Sequence, residues 1–294
     1  MIMFGLNVST SAARGCDPVA DARRAEELGF DFLSASDHLH GTAPTYETWT
    51  MLAWIAASTS RIRVATRVLG LPYRHPAVVA KMAETLDRLS GGRLILGLGG
   101  GAVDEEFRAF GLGERSPREK VDALAEAIRV TRGLWTRRAF SFDGERYRIE
   151  GAELEPKPAH PIPIWLGTYG PRALAVTGRL ADGWIPSLGY ASPEQVRPMR
   201  DRVLAAAVAA DRDPGAITCA YNLEVHVGEP DHTRPSILSG PPDALVDRLI
   251  GFTEMGFTAF NLIARPGDVE TLARDVLPAI RSTVAGRNER QSSA

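Results

Sequence analysis

Ser36-Asp37-His38 closes a short apolar run, Phe30-Asp31-Phe32-Leu33-Ser34-Ala35, that reads as a buried parallel strand. A carboxylate beside an imidazole can hold and move a proton near neutral pH. His38 is therefore the first candidate for an acid–base residue, and Asp37 the candidate to orient it. His38 and His40 also lie two apart, which puts them on one side of an extended chain. No third His or carboxylate follows at ligand spacing, and Cys16 and Cys219 are far apart, so no metal is expected.

Two glycine-bearing turns offer binding chemistry. Gly97-x-Gly99-x-x-Ala102 follows a strand-like run and precedes a helix, the pattern of a dinucleotide-binding turn. That turn belongs to the first βα unit of a doubly wound fold, whereas here it falls on the fourth strand. The turn from Gly97 through Gly99 to Ala102 reads instead as backbone passing close to a ligand or a neighbour. Gly167-Thr168-Tyr169-Gly170 ends just before Pro171, which suits a first helical position. Free amides there make either a phosphate seat or an ordinary turn. His75 reads as packing, and Trp54 and Trp165 as core. Trp49 and Trp184 lie near strand-top loops and could line a pocket. Glu105-Glu106-Phe107 reads as a solvated first turn that complements the helix dipole. No Gly-x-Ser-x-Gly elbow, Walker loop or His-Glu-x-x-His occurs.

The elements that must position these residues alternate. Strands are expected at 5–9, 30–38, 62–69, 93–99, 164–167, 184–187, 217–227 and 259–264. Helices are expected between them and at 269–284. Eight βα repeats favour an α/β (β/α)8 TIM barrel, whose chemistry sits at the C-terminal ends of the strands. Residues 137–163 break the alternation, with a hairpin through Asp143-Gly144 and then four prolines, and read as an insertion between helix four and strand five. One barrel domain over 1–286 and a disordered tail over 287–294 complete the expected layout.

The chain has 294 residues, 44% of them apolar, and a formal net charge of −2. It has no basic run, so nucleic acid and anionic membrane are excluded as expected partners. The N-terminus has no basic start and no long apolar segment, and two lone thiols suit a reducing compartment, so a cytoplasmic protein is expected.

Taken in order, several stretches resemble the bacterial luciferase-like monooxygenase superfamily, in particular its branch of coenzyme F420-dependent oxidoreductases. They include Glu26-Glu27-Leu28-Gly29-Phe30-Asp31 leading to Ser36-Asp37-His38, and Leu71-Pro72-x-Arg74-His75-Pro76. Further pieces are Leu86-Asp87-Arg88-Leu89-Ser90-Gly91-Gly92-Arg93, Pro163-Ile164-Trp165-x-Gly167 and Ala181-Asp182-Gly183-Trp184. The resemblance implies a barrel with an insertion before strand five, and hydride transfer between the deazaflavin C5 and a small organic substrate. It places Asp37 and His38 beside the redox ring. It places Val68-Leu69-Gly70 behind the ring, with a cis peptide bond between non-proline residues, and Gly99-Gly100-Gly101 near it. Gly167-Thr168-Tyr169-Gly170 would hold the cofactor phosphate. Asn7, Ser9, His40, Tyr46, Trp49 and Trp184 would line the substrate pocket. A homodimer is implied as well. The alternative within the family is an FMN-dependent monooxygenase supplied by a separate reductase, and a non-catalytic flavin binder is a third reading. Ala102 departs from the family's sugar-phosphate dehydrogenases, which carry glutamate there, so glucose 6-phosphate is not the expected substrate.

Overall fold

The computed structural model describes residues 2–292. The strands are β1 Met3–Asn7, β2 Phe32–Ala35, β3 Arg63–Thr66, β4 Leu69–Gly70, β5 Leu94–Gly99, β6 Phe140–Asp143, β7 Arg148–Ala152, β8 Ile164–Leu166, β9 Gly183–Trp184, β10 Thr218–Val227, β11 Ile237–Gly240 and β12 Ala259–Ala264. The helices are α1 Pro18–Glu27, α2 Thr48–Ser58, α3 Pro76–Ser90, α4 Asp104–Ala109, α5 Pro117–Thr136, α6 Pro171–Leu180, α7 Pro193–Val208, α8 Pro242–Glu254, α9 Val269–Thr271 and α10 Leu277–Ser292. Proline opens α1, α3, α5, α6, α7 and α8, where its missing N–H costs nothing.

The strands β1, β2, β3, β5, β8, β9, β10 and β12 pair in parallel and close, β12 onto β1 and β9 onto β10. This is the expected (β/α)8 barrel. Its interior is filled by Phe32, Ala65, Ile95, Trp165, Ile185, Ala220 and Ala259. Phe32 and Trp165 meet edge to face, with ring centroids 5.6 Å apart. Their bulk dictates glycine opposite: a Cβ on Gly5 would lie 2.2 Å from Phe32, and one on Gly183 2.4 Å from Trp165.

The structure departs from expectation in three places. The single strand 62–69 is broken: β3 pairs Ala65 with Ile95, and pairing resumes at Leu69 with Leu98, so one extra residue bulges out between them. β11 adds to β10 outside the barrel, and α10 runs past the expected end at Val284. Of the tail at 287–294, residues 287–292 continue that helix, and 293–294 lie outside the described residues. The hairpin β6–β7 lies within 137–163, where the insertion is expected.

One carboxylate ties α1 to the start of β3. Glu26 Oε1 accepts from the amides of Ser60, Arg61 and Ile62 at 2.9, 2.6 and 2.9 Å. Burial pushes this carboxyl up, but the three amides outweigh it and bring it from 4.5 down to about 2. A depressed carboxylate stabilises the fold above its unfolded pKa and loses that contribution as pH falls through the folded one. Glu26→Ala is therefore expected to lower stability by about 1–2 kcal/mol at pH 7, after solvent screening of a half-buried group. The difference between variant and wild type should shrink as pH falls from 4.5 towards 2, which urea unfolding at pH 7 and pH 3 would check.

Candidate active site

His38 stands just past the end of β2, with its side chain 57% exposed. Its Nδ1 lies 2.7 Å from Glu106 Oε1. A carboxylate only accepts, so Nδ1 donates to Glu106 and Nε2 is turned away from it. The other Glu106 oxygen accepts from the Tyr73 hydroxyl. Burial, then Glu106, pushes the Tyr73 phenol far above its ordinary range, so it stays a donor. The expectation of a solvated Glu105-Glu106-Phe107 turn is corrected here. Phe107 packs on Tyr73, with centroids 4.9 Å apart, and this contact carries Glu106 inward while Glu105 stays exposed.

Asp37 does not orient His38. Its buried carboxylate takes both terminal nitrogens of Arg74, at 2.7 and 3.2 Å, and the Gly70 amide at 2.8 Å. Arg74 also binds Glu47, which caps α2. Asp37 is thus a brace that fixes β4 after the bulge. Neighbouring side chains on extended chain point to opposite sides, which sends Asp37 inward and His38 out.

The bulge carries a cis peptide bond between Arg67 and Val68, at the near edge of Val68-Leu69-Gly70. Val68 lies between two predicted glycines: a Cβ on Gly99 would be 2.6 Å from it and one on Gly167 3.4 Å. Gly100 backs onto Lys120, and Gly101, with φ +92°, sits against Phe107 and Pro72. In the turn before α6, the Thr168 and Thr177 hydroxyls are 2.7 Å apart. The Thr168 carbonyl accepts from Trp184 Nε1 at 2.9 Å, and the Tyr169 hydroxyl from the Ser187 amide at 3.0 Å. Gly170 caps α6 without a side-chain bond, and a Cβ there would meet open space. This turn is braced from beneath and open above, and so fits a phosphate.

The expected pocket residues divide. Asn7 lies at the strand tops, Ser9 and Tyr46 are exposed on paired loops, and His40 is exposed against Phe110. Trp49 is buried in the core. Trp184 is fully buried and stacks on Phe257, so it supports the Thr168 turn and lines no pocket. The described residues hold no cluster of metal-ligating side chains.

A polar belt spans the barrel. Arg67 Nε donates to Asn7 Oδ1 at 3.1 Å, and Ser34 joins Asn7 to Asn261. Asn261 donates to Asn222 at 2.7 Å, Asn222 to the Ser187 hydroxyl at 2.9 Å, and the Ser187 amide to Tyr169. Sequence reading passed over Arg67, Ser34, Asn222, Asn261 and Glu106. The available signal was a single polar residue inside a short apolar strand, at Ser34 in β2 and Asn261 in β12.

Residues 17–236 match the family model described as luciferase-like monooxygenase. This chain belongs to the luciferase-like monooxygenase family. Within the luciferase-like family it is 29% identical to an F420-dependent glucose-6-phosphate dehydrogenase of Intrasporangium calvum, over 96% of this chain and 99% of that one. It is 37% identical to an F420-dependent hydroxymycolic acid dehydrogenase of Mycobacterium tuberculosis, over 72% and 59% of the two chains. Its fold matches an F420-dependent secondary alcohol dehydrogenase in complex with an F420–acetone adduct, with TM-score 0.86 and 20% identity over 95% and 99% of the chains. It also matches a monooxygenase from Streptomyces bottropensis, with TM-score 0.79 and 22% identity over 94% and 99%. One position directly follows the glycine run Gly99-Gly100-Gly101 at the end of β5. In this chain that position is Ala102, which is exposed, and the carboxylate facing the imidazole comes from Glu106.

Proposed function

We propose that this protein is an F420-dependent oxidoreductase in which His38 handles the proton that accompanies hydride transfer to or from a small organic substrate. The observation that carries the reading is the His38–Glu106 pair beside Tyr73 at the strand tops. Relatives named as F420-dependent dehydrogenases support the cofactor. The residues present fit it: Val68, Gly99 and Gly167 make a shelf free of protruding side chains, and the turn at 168–170 offers amides at a helix start. Bound there, the deazaflavin would supply hydride exchange at C5. Asp37 and Arg74 keep the bulge in place behind that shelf. Glu106 holds the His38 ring through Nδ1 and so leaves Nε2 to face the substrate. In the oxidising direction Nε2 takes the proton of a substrate hydroxyl, and in the reducing direction it returns one.

Titration with F420, followed by loss of cofactor fluorescence, should show saturable binding, with FMN bound far more weakly. Tight FMN binding with oxygen-dependent turnover and no affinity for F420 would overturn the reading in favour of a monooxygenase fed by a separate reductase.

We also infer a homodimer. Trp54 on α2 is 70% exposed and Leu89 on α3 82% exposed, which corrects the expectation that Trp54 is core. Two large apolar side chains this exposed, on helices that pack on each other, support a meeting face there. Trp54→Glu is expected to turn a dimer into a monomer, which light scattering after gel filtration would read. Among the described residues no helix is long and apolar enough to cross a membrane, and the free thiols Cys16 and Cys219 agree with a cytoplasmic setting.

A further inference from the structure

Arg67 and Arg74 lie on one segment and have opposite surroundings. Arg74 is saturated by Asp37 and Glu47. Among the described residues Arg67 has one hydrogen-bond partner, the neutral Asn7 oxygen at 3.1 Å, and no ion pair reaches it. A guanidinium carries five N–H donors in a rigid fork. Four of them, on the two terminal nitrogens, meet no protein acceptor, although the side chain is only partly exposed. The ionisable neighbours that act on it are two phenols, Tyr169 and Tyr190, which stack edge to face at 5.7 Å. Burial pushes its pKa down, so water does not fully repay the charge. A cation held in this state beside a site is one whose counter-charge arrives from outside.

Its position is also fixed. Asn7 is held by its place at the end of β1, in register with Ser34 of β2, and Ser34, Asn261, Asn222 and Ser187 link the belt from strand to strand. The belt ends on the Tyr169 hydroxyl, in the turn that fits the cofactor phosphate. Arg67 thus stands at the strand tops where β3 ends, pre-organised and unneutralised.

We propose that Arg67 is the residue that recognises an oxyanion, carboxylate or phosphate, on the substrate. Its free fork takes the two oxygens while the hydride centre lies over the adjoining shelf. This names a substrate class for the F420 reading and rests on that reading for the chemistry carried out. Arg67 supplies a positive group with no carboxylate paired to it among the described residues. The substrate therefore carries its own negative charge.

The test uses the full chain without cofactor, with benzoate and inorganic phosphate as probes against chloride at constant ionic strength. Thermal shift and calorimetric titration should show binding of at least one probe. Binding should weaken about tenfold in Arg67→Lys, which keeps the charge and loses the fork, and about 100-fold in Arg67→Met. Benzoate alone would identify a carboxylate and phosphate alone a phosphate ester. F420 affinity should stay within about threefold in both variants. No probe binding to the wild type, unchanged probe binding in Arg67→Met, or a parallel loss of F420 affinity would each overturn the proposal. Arg67-dependent probe binding in a protein that takes no F420 would instead overturn the cofactor reading and leave the anion site standing.

Discussion

His38→Ala is expected to lower the turnover number by about 10²–10⁴, the usual contribution of a positioned acid–base group. The melting temperature should barely change, because a side chain 57% exposed gives up little packing. Glu106→Gln separates the two parts of the device. The amide keeps the volume and can still accept from Nδ1, but it removes the negative charge that stabilises the imidazolium. We expect about a tenfold loss in kcat with KM nearly unchanged, since the charge matters most when the proton has moved. Tyr73→Phe should fall between wild type and Glu106→Gln, because it frees one Glu106 oxygen without removing the anion. Single-turnover hydride transfer with F420 would check all three. Full activity in His38→Ala would remove the acid–base role and favour a protein that binds cofactor without turning it over.

Gly97→Ala is expected to be among the most damaging single methyl additions in the chain. A Cβ at this position would lie 1.9 Å from the Thr66 carbonyl oxygen, which is backbone and cannot swing aside. Thr66 and Gly97 are also joined twice: the Thr66 hydroxyl donates to the Gly97 carbonyl at 2.7 Å and accepts from its amide at 2.9 Å. These two bonds bridge the interval where the bulge interrupts pairing of β3 and β4 with β5. The methyl group adds overpacking of about 1–3 kcal/mol and breaks two buried hydrogen bonds of about 1 kcal/mol each. The sum is about 3–5 kcal/mol, a large part of a typical folding free energy. A fall in melting temperature of about 10 °C is expected for a chain of this size. Thr66→Val, which removes both bonds but adds no bulk, should lose roughly half as much. Calorimetric scans of the two variants would separate the steric cost from the hydrogen bonds.

The barrel was legible because its punctuation is local. Prolines at helix starts and Gly91 in the left-handed region after α3 mark where each element turns, and period and length do the rest. His38 was legible because a strand end on the catalytic face is a place as well as a sequence. Asp37 misled because adjacency in sequence is the wrong kind of nearness on extended chain. Its carboxylate belongs to Arg74, more than thirty residues away. Glu106 was hidden because an acid in a first helical turn looks solvated, and only the packing of Phe107 on Tyr73 turns it inward. Gly97 was read rightly as a close approach, but what approaches is the Thr66 carbonyl rather than a ligand. Trp54 shows the reverse error: a tryptophan on a helix was read as core, and it faces out.

The belt across the barrel has a direction. Ser34 gives its proton to Asn261, Asn261 gives to Asn222, Asn222 to Ser187 and Ser187 to Tyr169. Each asparagine accepts through its Oδ1 and donates through its Nδ2, and at Ser187 the hydroxyl accepts while the backbone amide donates. Asparagine cannot be exchanged for aspartate at one link without reversing its neighbours, and those lie on other strands. The side chains at positions 34, 222 and 261 therefore act as one unit across three strands, and replacing any one of them leaves a buried polar group of another without its partner.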